Sequence, residues 1–218
     1  MLIGYSAQIF ADFAGYSLIA IGLAGLFGYK LPTNFNFPYI SRSFAEFWRR
    51  WHISLSSFLR EYLYFPLGGN RKGNIRTYVN LFIVMLLGGL WHGAAWSYMV
   101  WGGLHGTALA VERFLQRFVA IPHGFFIDVV RMFFVFSYVT LAWLTFKLPD
   151  FNHVLAYLQA MWMNAQFPGE RYSFSILLLS SAIAIYHFIN SDFWRGSPGN
   201  RRQLEPIVYG LMIFLLLT

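Results

Sequence analysis

The chain alternates between long apolar blocks and short, polar, basic intervals, and the block lengths predict its elements. Residues 1–27 form the first block, close to the roughly 20 residues a helix needs to cross a hydrocarbon core about 30 Å thick. Within it Gln8, Asp12 and Tyr16 recur at four-residue spacing, so helical geometry places them on one face. An ionisable group at that depth costs about 2.5–3.5 kcal/mol unless a partner or water satisfies it. Asp12 therefore belongs either to a polar seam against other helices or to the lining of a functional cavity.

The chain then leaves the membrane core from Tyr29 to Thr77. Prolines and asparagines in KLPTNFNFPYISRS mark a loop. Ser43-x-x-Glu46 is a capping box, predicting that the Ser43 oxygen takes the Glu46 N–H while the Glu46 carboxylate reaches back. After it Phe44, Trp48, Trp51, Leu55, Phe58, Leu59 and Tyr62 fall at helical spacing on one face, with Arg49, Ile53, Ser57, Arg60 and Glu61 on the other. This predicts one amphipathic helix lying in the membrane interface, aromatic side down, with His52 at the edge of the stripe and its ring toward the interior. A glycine-rich basic turn, LGGNRKGNIR, follows Pro66. The interval carries eight basic residues and two acids, which places it on the cytoplasmic side.

From Tyr78 to Trp91 there are 14 residues, about 21 Å of helix, short of a full crossing, so His92 is expected inside the bilayer. Gly88, Gly89 and Gly93 weaken the helix around it and let a backbone or ligand approach. The chain turns back at His92 or nearer Met99, and a second apolar run ends in Glu112, Arg113 and Arg117, a cytoplasmic signature. Phe125 to Leu148 is another span, with Asp128 and Arg131 spaced to pair near its start. NHVLAYLQAMWMN reads as an outer interfacial helix, and Tyr172 to Ile189 as a returning span before a loop with Arg195, Arg201 and Arg202. Pro206 to Thr218 opens one more span and stops after 13 residues, which predicts a truncated last helix and a fragment of a longer protein. The expected fold class is all-α: a polytopic membrane bundle with interfacial and broken helices, residues 1–218 forming a single membrane domain.

Composition agrees, because 57% hydrophobic and 11% charged residues leave too little polar surface to cover a soluble globule. An excess of 16 Lys+Arg over 9 Asp+Glu is then a topology signal rather than a nucleic-acid footprint, and no nucleic-acid partner is expected. The absence of cysteine excludes a disulfide framework, a thiolate metal site and a cysteine nucleophile. Met1 runs directly into apolar sequence without a basic n-region, so no cleaved signal is expected.

Chemistry has to come from the histidines. His52 and His92 are both placed to meet at membrane depth near the cytoplasmic half. A lone intramembrane histidine can serve as a structural hydrogen bond, whereas two that converge point to function. Burial disfavours the imidazolium, so His92 is expected neutral near pH 7 and available as a general base toward a hydroxyl. No metal is expected, because His52, His92 and His105 lack the close i, i+4 pairing of zinc helices. His105 is expected to pack or hydrogen-bond. The aromatic stripe anchors the chain in the membrane or lines a tunnel for an acyl chain; both readings stand.

The two segments FWRRWHISLSSFLREYLYFPLGGNRKG and LGGLWHGAAWSYMVWGGLHG, in this order, resemble the membrane-bound O-acyltransferase family, in particular its bacterial branch of alginate O-acetylation and teichoic-acid D-alanylation. ADFAGYS and LPTNFNFPYIS resemble stretches that precede them in that branch. The resemblance implies a multi-helix bundle with a tunnel, an acyl group (acetyl foremost) carried from a cytoplasmic thioester to a cell-envelope polysaccharide, and location in the bacterial inner membrane. By resemblance His92 is the catalytic histidine and His52 the second motif histidine. Trp48, Trp51, Arg49, Arg60, Trp91 and Asp12 are candidate substrate-binding residues. The donor, acetyl-coenzyme A or an acyl-carrier protein, is a substrate and no bound cofactor is expected. Its acidic phosphopantetheine arm would meet Arg49, Arg50, Arg60, Arg71 and Lys72. Expected partners are membrane lipids, the polysaccharide and an outer-facing protein of the SGNH-hydrolase type. Family members are about twice as long, so the resemblance is expected to cover this whole chain and their C-terminal half. The rival reading is a non-catalytic scaffold, an inactive fragment or a transporter; transport predicts paired broken spans, and the sequence shows one break.

Overall fold

The computed structural model describes residues 2–120, 122, 124–148, 150–163 and 180–187, and among these it is all-α. The helices are α1 (Leu2–Leu26), α2 (Phe44–Arg50), α3 (Ile53–Leu59), α4 (Asn74–Trp91), α5 (Trp96–Leu115), α6 (Phe125–Lys147) and α7 (Phe151–Met163). Residues 180–187 are also helical. Among the described residues, α1, α4 and α6 are long and apolar enough to cross a membrane. The expected span at 172–189 lies outside the described residues except for 180–187, and the expected span at 206–218 lies wholly outside them.

The predicted single amphipathic helix is two. α2 ends at Arg50, Trp51 is extended, and His52 adopts the left-handed conformation (φ 43°, ψ 58°) before α3 begins. Such a φ is uncommon for a side-chain-bearing residue and needs support from its surroundings. The loop after α1 supplies it from both sides of the break. Asn36 N–H donates to the Arg50 carbonyl at 2.9 Å, and Ile53 N–H donates to the Asn34 carbonyl at 2.9 Å. Asn34 Oδ1 then takes the next free donor, the Ser54 N–H, at 3.1 Å. The orphan groups that any helix end exposes are thus satisfied from another segment. α3 runs on into a π-helical turn, Arg60–Tyr64.

This break also corrects the expected interfacial orientation. Trp48 and Trp51 are buried, at 8% and 3% exposure, in a core with Phe10, Phe47, Trp101 and Trp143. The aromatic face of α2 is turned into protein, and only beyond the break do Phe58 and Tyr62 reach the surface, stacked on each other. Ser43 Oγ accepts the Glu46 N–H at 3.0 Å as the capping box predicts. The Glu46 carboxylate reaches one residue further back than expected, to the Arg42 N–H at 2.8 Å. The remaining α2 donors, the Phe44 and Ala45 N–H groups, go to the carboxylate of Glu112 on α5. That carboxylate, read in sequence as part of a cytoplasmic border, is a structural strut between α2 and α5.

α4 and α5 form a tight antiparallel hairpin that turns at residues 92–95, directly after Trp91. α4 starts at Asn74, four residues before the apolar block, and its 18 residues give about 27 Å, long enough to cross. The shortness of the apolar block is therefore no measure of the depth of His92. The helices touch through glycine: a Cβ on Gly89 would fall 2.2 Å from the Tyr98 carbonyl oxygen, and one on Gly102 2.3 Å from that of Met85. Backbones this close are the small-residue packing that membrane helices use in place of a hydrophobic driving force. α6 matches its predicted span. Its Asp128–Arg131 pair forms at 3.7 Å, and Arg42 joins it at 3.1 Å. A buried Ser6–Thr140 hydrogen bond of 3.0 Å ties α6 to α1.

Candidate functional site

The two helix breaks open onto one space. His52, at the first, and His92, the residue that ends α4, both line a cavity of about 450 Å³, within the range of small-molecule sites. α1 supplies the facing wall with Tyr5, Gln8, Asp12 and Tyr16, so the seam seen in the first apolar block is a cavity lining. Trp48, Trp51 and Trp91 also line it, as do Trp101 from α5 and Trp143 and Phe146 from α6. Of the eight candidate site residues, six share this cavity. Arg49 and Arg60 do not: both are exposed, and Arg60 donates to Ser57 Oγ at 3.3 Å. Arg50, counted among the cations expected to meet the donor, is held by Glu46 at 2.8 Å.

Each imidazole has a distinct setting. His92 is framed by ring edges, with Trp91, Trp101 and Phe146 at centroid distances of 5.0, 5.4 and 5.0 Å. Among the described residues its ring nitrogens have no hydrogen-bond partner, so both are free to address a bound molecule. His52 packs edge-on against Phe13 at 4.6 Å and lies 6.4 Å from Trp91. Its Nδ1 sits 3.2 Å from Asn34 Oδ1. Burial, and then the nearby His92, lower the His52 pKa to about 4, so His52 is neutral at pH 7. An imidazole in its neutral form in such an aromatic, weakly polar cavity can accept and return a proton. The third histidine, His105, is fully buried behind the wall and accepts the Trp48 Nε1–H on Nδ1 at 3.3 Å, which fixes the indole that lines the cavity.

No sequence signal marks Trp143, Phe146 or Asn34 as site residues. Aromatic residues in an apolar span look like lipid-facing positions, and an asparagine in a loop looks like turn chemistry. Only long-range packing brings them here. The first break, at His52, was equally hidden, because the apolar stripe runs through it without a change of period.

Residues 1–149 match the model of MBOAT, the membrane-bound O-acyltransferase family. The chain is 53% identical over 145 residues to a protein of Azotobacter vinelandii described as a probable alginate O-acetylase, covering 66% of this chain and 28% of that protein. It is 44% identical over 159 residues to the peptidoglycan O-acetyltransferase of Helicobacter pylori, covering 73% and 30%. With the teichoic acid D-alanyltransferase of Bacillus subtilis it shares 31% identity over 161 residues, covering 69% and 41%. The likeness thus extends over about two thirds to three quarters of this chain, not all of it. The chain spans roughly a third of the length of these relatives rather than half. The matched stretch runs from α1 through α6 and carries every residue of the cavity; on it, the chain belongs to the membrane-bound O-acyltransferase family.

Proposed function

We propose that this chain carries the acyl-transfer site of a membrane O-acyltransferase that moves an acyl group, acetyl foremost, from a thioester donor to a hydroxyl of a cell-envelope polysaccharide. The observation that supports this reading is the convergence of His52 and His92, from two separate helix breaks, on one aromatic cavity. His92 acts as general base: it takes the proton of the acceptor hydroxyl as that oxygen bonds the acyl carbon. The carbon–sulfur bond then breaks, and the imidazolium returns the proton to the departing thiolate. His52 assists beside it. Trp48, Trp51 and Trp91 hold the apolar part of the donor, and Asp12 with Gln8 offers polar contacts from the opposite wall.

The donor is acetyl-coenzyme A or an acyl-carrier protein, approaching from the cytoplasmic face of the bacterial inner membrane. Arg49, Arg60, Arg71 and Lys72, which lie on the surface and not in the cavity, attract its acidic arm from outside. On the other face the acyl group passes to the polysaccharide directly or through an SGNH-hydrolase-type partner. The part of the fold represented in relatives but not here completes the tunnel.

Transfer of label from a radioactive acetyl donor to envelope polysaccharide, in membranes holding this chain with and without the remainder of the family fold, tests the proposal. His92→Ala should lower incorporation by about 10²–10⁴-fold, the usual worth of a general base, with unchanged insertion. Incorporation that survives His92→Ala would refute its role. If no label is transferred under either condition while a full-length relative is active, the chain is an inactive fragment or a scaffold.

A further inference from the structure

We propose that Asn34 is a positioning residue that fixes His52 as the Nδ1–H tautomer, leaving Nε2 as its unprotonated nitrogen toward the cavity. What that nitrogen does in acyl transfer rests on the function proposed above; the tautomer itself does not. The assignment begins with an atom whose role is not open to choice. The Ser54 backbone N–H can only donate, and it points at the Asn34 side chain at 3.1 Å, so the amide atom there must be the oxygen. The other end of the amide agrees, since Asn34 Nδ2 donates to Ser17 Oγ on α1 at 3.3 Å. The same oxygen lies 3.2 Å from His52 Nδ1. An amide oxygen accepts and never donates, so the proton between them belongs to Nδ1.

One competing arrangement exists locally. Ser54 Oγ lies 3.4 Å from His52 Nδ1 and could donate to it if Nδ1 were bare. That would set two lone pairs, on Nδ1 and Asn34 Oδ1, against each other at 3.2 Å. Ser54 Oγ also has the better acceptor in Asn34 Oδ1 itself, at 2.8 Å. Both considerations leave the proton on Nδ1. Nε2 then has no protein partner among the described residues, while the ring forms part of the cavity wall. The charged and titratable groups that share this cavity with His52 are Asp12, Tyr5 and Tyr16 on α1 and His92 at the end of α4. Asn34 thereby joins two tasks: its carbonyl and side chain stabilise the start of α3, and its oxygen sets which imidazole nitrogen is basic.

Nuclear magnetic resonance of the whole chain in lipid nanodiscs, labelled with ¹⁵N in the histidine rings, distinguishes protonated from bare ring nitrogens. The His52 signals are identified by their loss in His52→Gln. At pH 7 Nδ1 should be protonated and Nε2 bare. Ser54→Ala should leave this unchanged, whereas Asn34→Ala should shift the tautomer ratio toward Nε2–H by about 3- to 10-fold, the worth of one neutral hydrogen bond. Asn34→Asp keeps both acceptor functions and adds a charge, so it should preserve Nδ1–H and raise the titration midpoint of His52. A residue that capped α3 with its side chain away from the imidazole would leave that midpoint where it is. Should Asn34→Ala fail to fold, the unsubstituted chain and Asn34→Asp still decide. Dominant Nε2–H in the unsubstituted chain, or an unmoved midpoint in Asn34→Asp, overturns the proposal. These readouts need no turnover, so they separate a failure of this assignment from a failure of the acyl-transfer reading, which His92→Ala tests.

Discussion

Gly102 and Gly103 are adjacent on α5 and should respond oppositely to the same substitution. A Cβ on Gly102 would stand 2.3 Å from the Met85 carbonyl oxygen and 3.1 Å from the Leu86 Cα, both backbone atoms of α4. To reach the 3.0 Å below which such contacts are essentially not found, the helices must part by about 0.7 Å. Backbone cannot swing aside as a side chain does, and overpacking of this kind costs about 1–3 kcal/mol. At Gly103 the nearest atoms are side-chain carbons of Leu86 and Phe82 at 3.7 and 3.8 Å, ordinary van der Waals contact. Both substitutions gain the same helix propensity, so that gain cancels between them and the difference isolates the close approach. Gly102→Ala should therefore be less stable than Gly103→Ala by about 1–3 kcal/mol. Thermal unfolding of the two variants in one detergent, followed by the size-exclusion profile of a fluorescent fusion, should separate their midpoints by several degrees. Gly102→Ala should also impair acyl transfer, because this hairpin places His92. Equal midpoints, or a less stable Gly103→Ala, would show that the α4–α5 contact is not set by backbone approach.

Two further outcomes follow from the site's supports. Glu112→Ala leaves the Phe44 and Ala45 N–H groups without an acceptor and should destabilise the fold by about 1–3 kcal/mol, with Glu112→Gln recovering part of the loss; equal stability of all three forms in the same unfolding assay would remove the strut. The pKa of His52 is lowered by burial to about 4, so its neutral, base-competent form is present above that value and lost as pH falls through it. The pH profile of transfer should accordingly show no inflection from His52 between about pH 5 and 8, and an inflection in that interval abolished by His52→Gln would contradict the buried setting.

Where the sequence is periodic, the fold is legible in it. α1, α6 and α7 follow their apolar blocks, and Gln8, Asp12 and Tyr16 share a face because four-residue spacing leaves a helix no alternative. Capping chemistry is half legible. Ser43 meets Glu46 within one turn, but Glu112 arrives from another helix 68 residues away and leaves no local trace. The break at His52 is the clearest limit. Nothing in WRRWHISLSS interrupts the apolar period, and the residue that turns left-handed carries neither the missing Cβ nor the short polar side chain that usually marks such a position. Its stability comes from Asn34 and Asn36, whose LPTNFNF context signals only a loop. The site residues named from sequence split by chemistry: the aromatic residues, the two histidines and Asp12 reached the cavity, while Arg49 and Arg60, chosen for their charge, remained outside it.

Both breaks bear on how a site of this kind can be built among helices apolar enough to cross a membrane. A continuous helix satisfies its own backbone but presents side chains only from its flank, and an interrupted one exposes N–H and C=O groups that hydrocarbon cannot solvate. Non-helical backbone is tolerated there only when protein or a cavity receives it. At His52 the loop residues Asn34 and Asn36 receive it. At His92 the chain folds back on its own hairpin, with His92 N–H donating to the Gly89 carbonyl at 3.0 Å and Tyr98 N–H to that of Ala95 at 3.2 Å. Gly93 lies so close to the Tyr98 ring that a Cβ there would come within 2.8 Å of it, which holds the turn tight. Each histidine thus stands at a helix end where these backbone groups are already hydrogen-bonded, and its ring lines the cavity, that of His52 held at Nδ1 by Asn34. The aromatic walls supply few competing hydrogen bonds, so in the proposed function a proton moved at either imidazole would pass to or from the bound reactants.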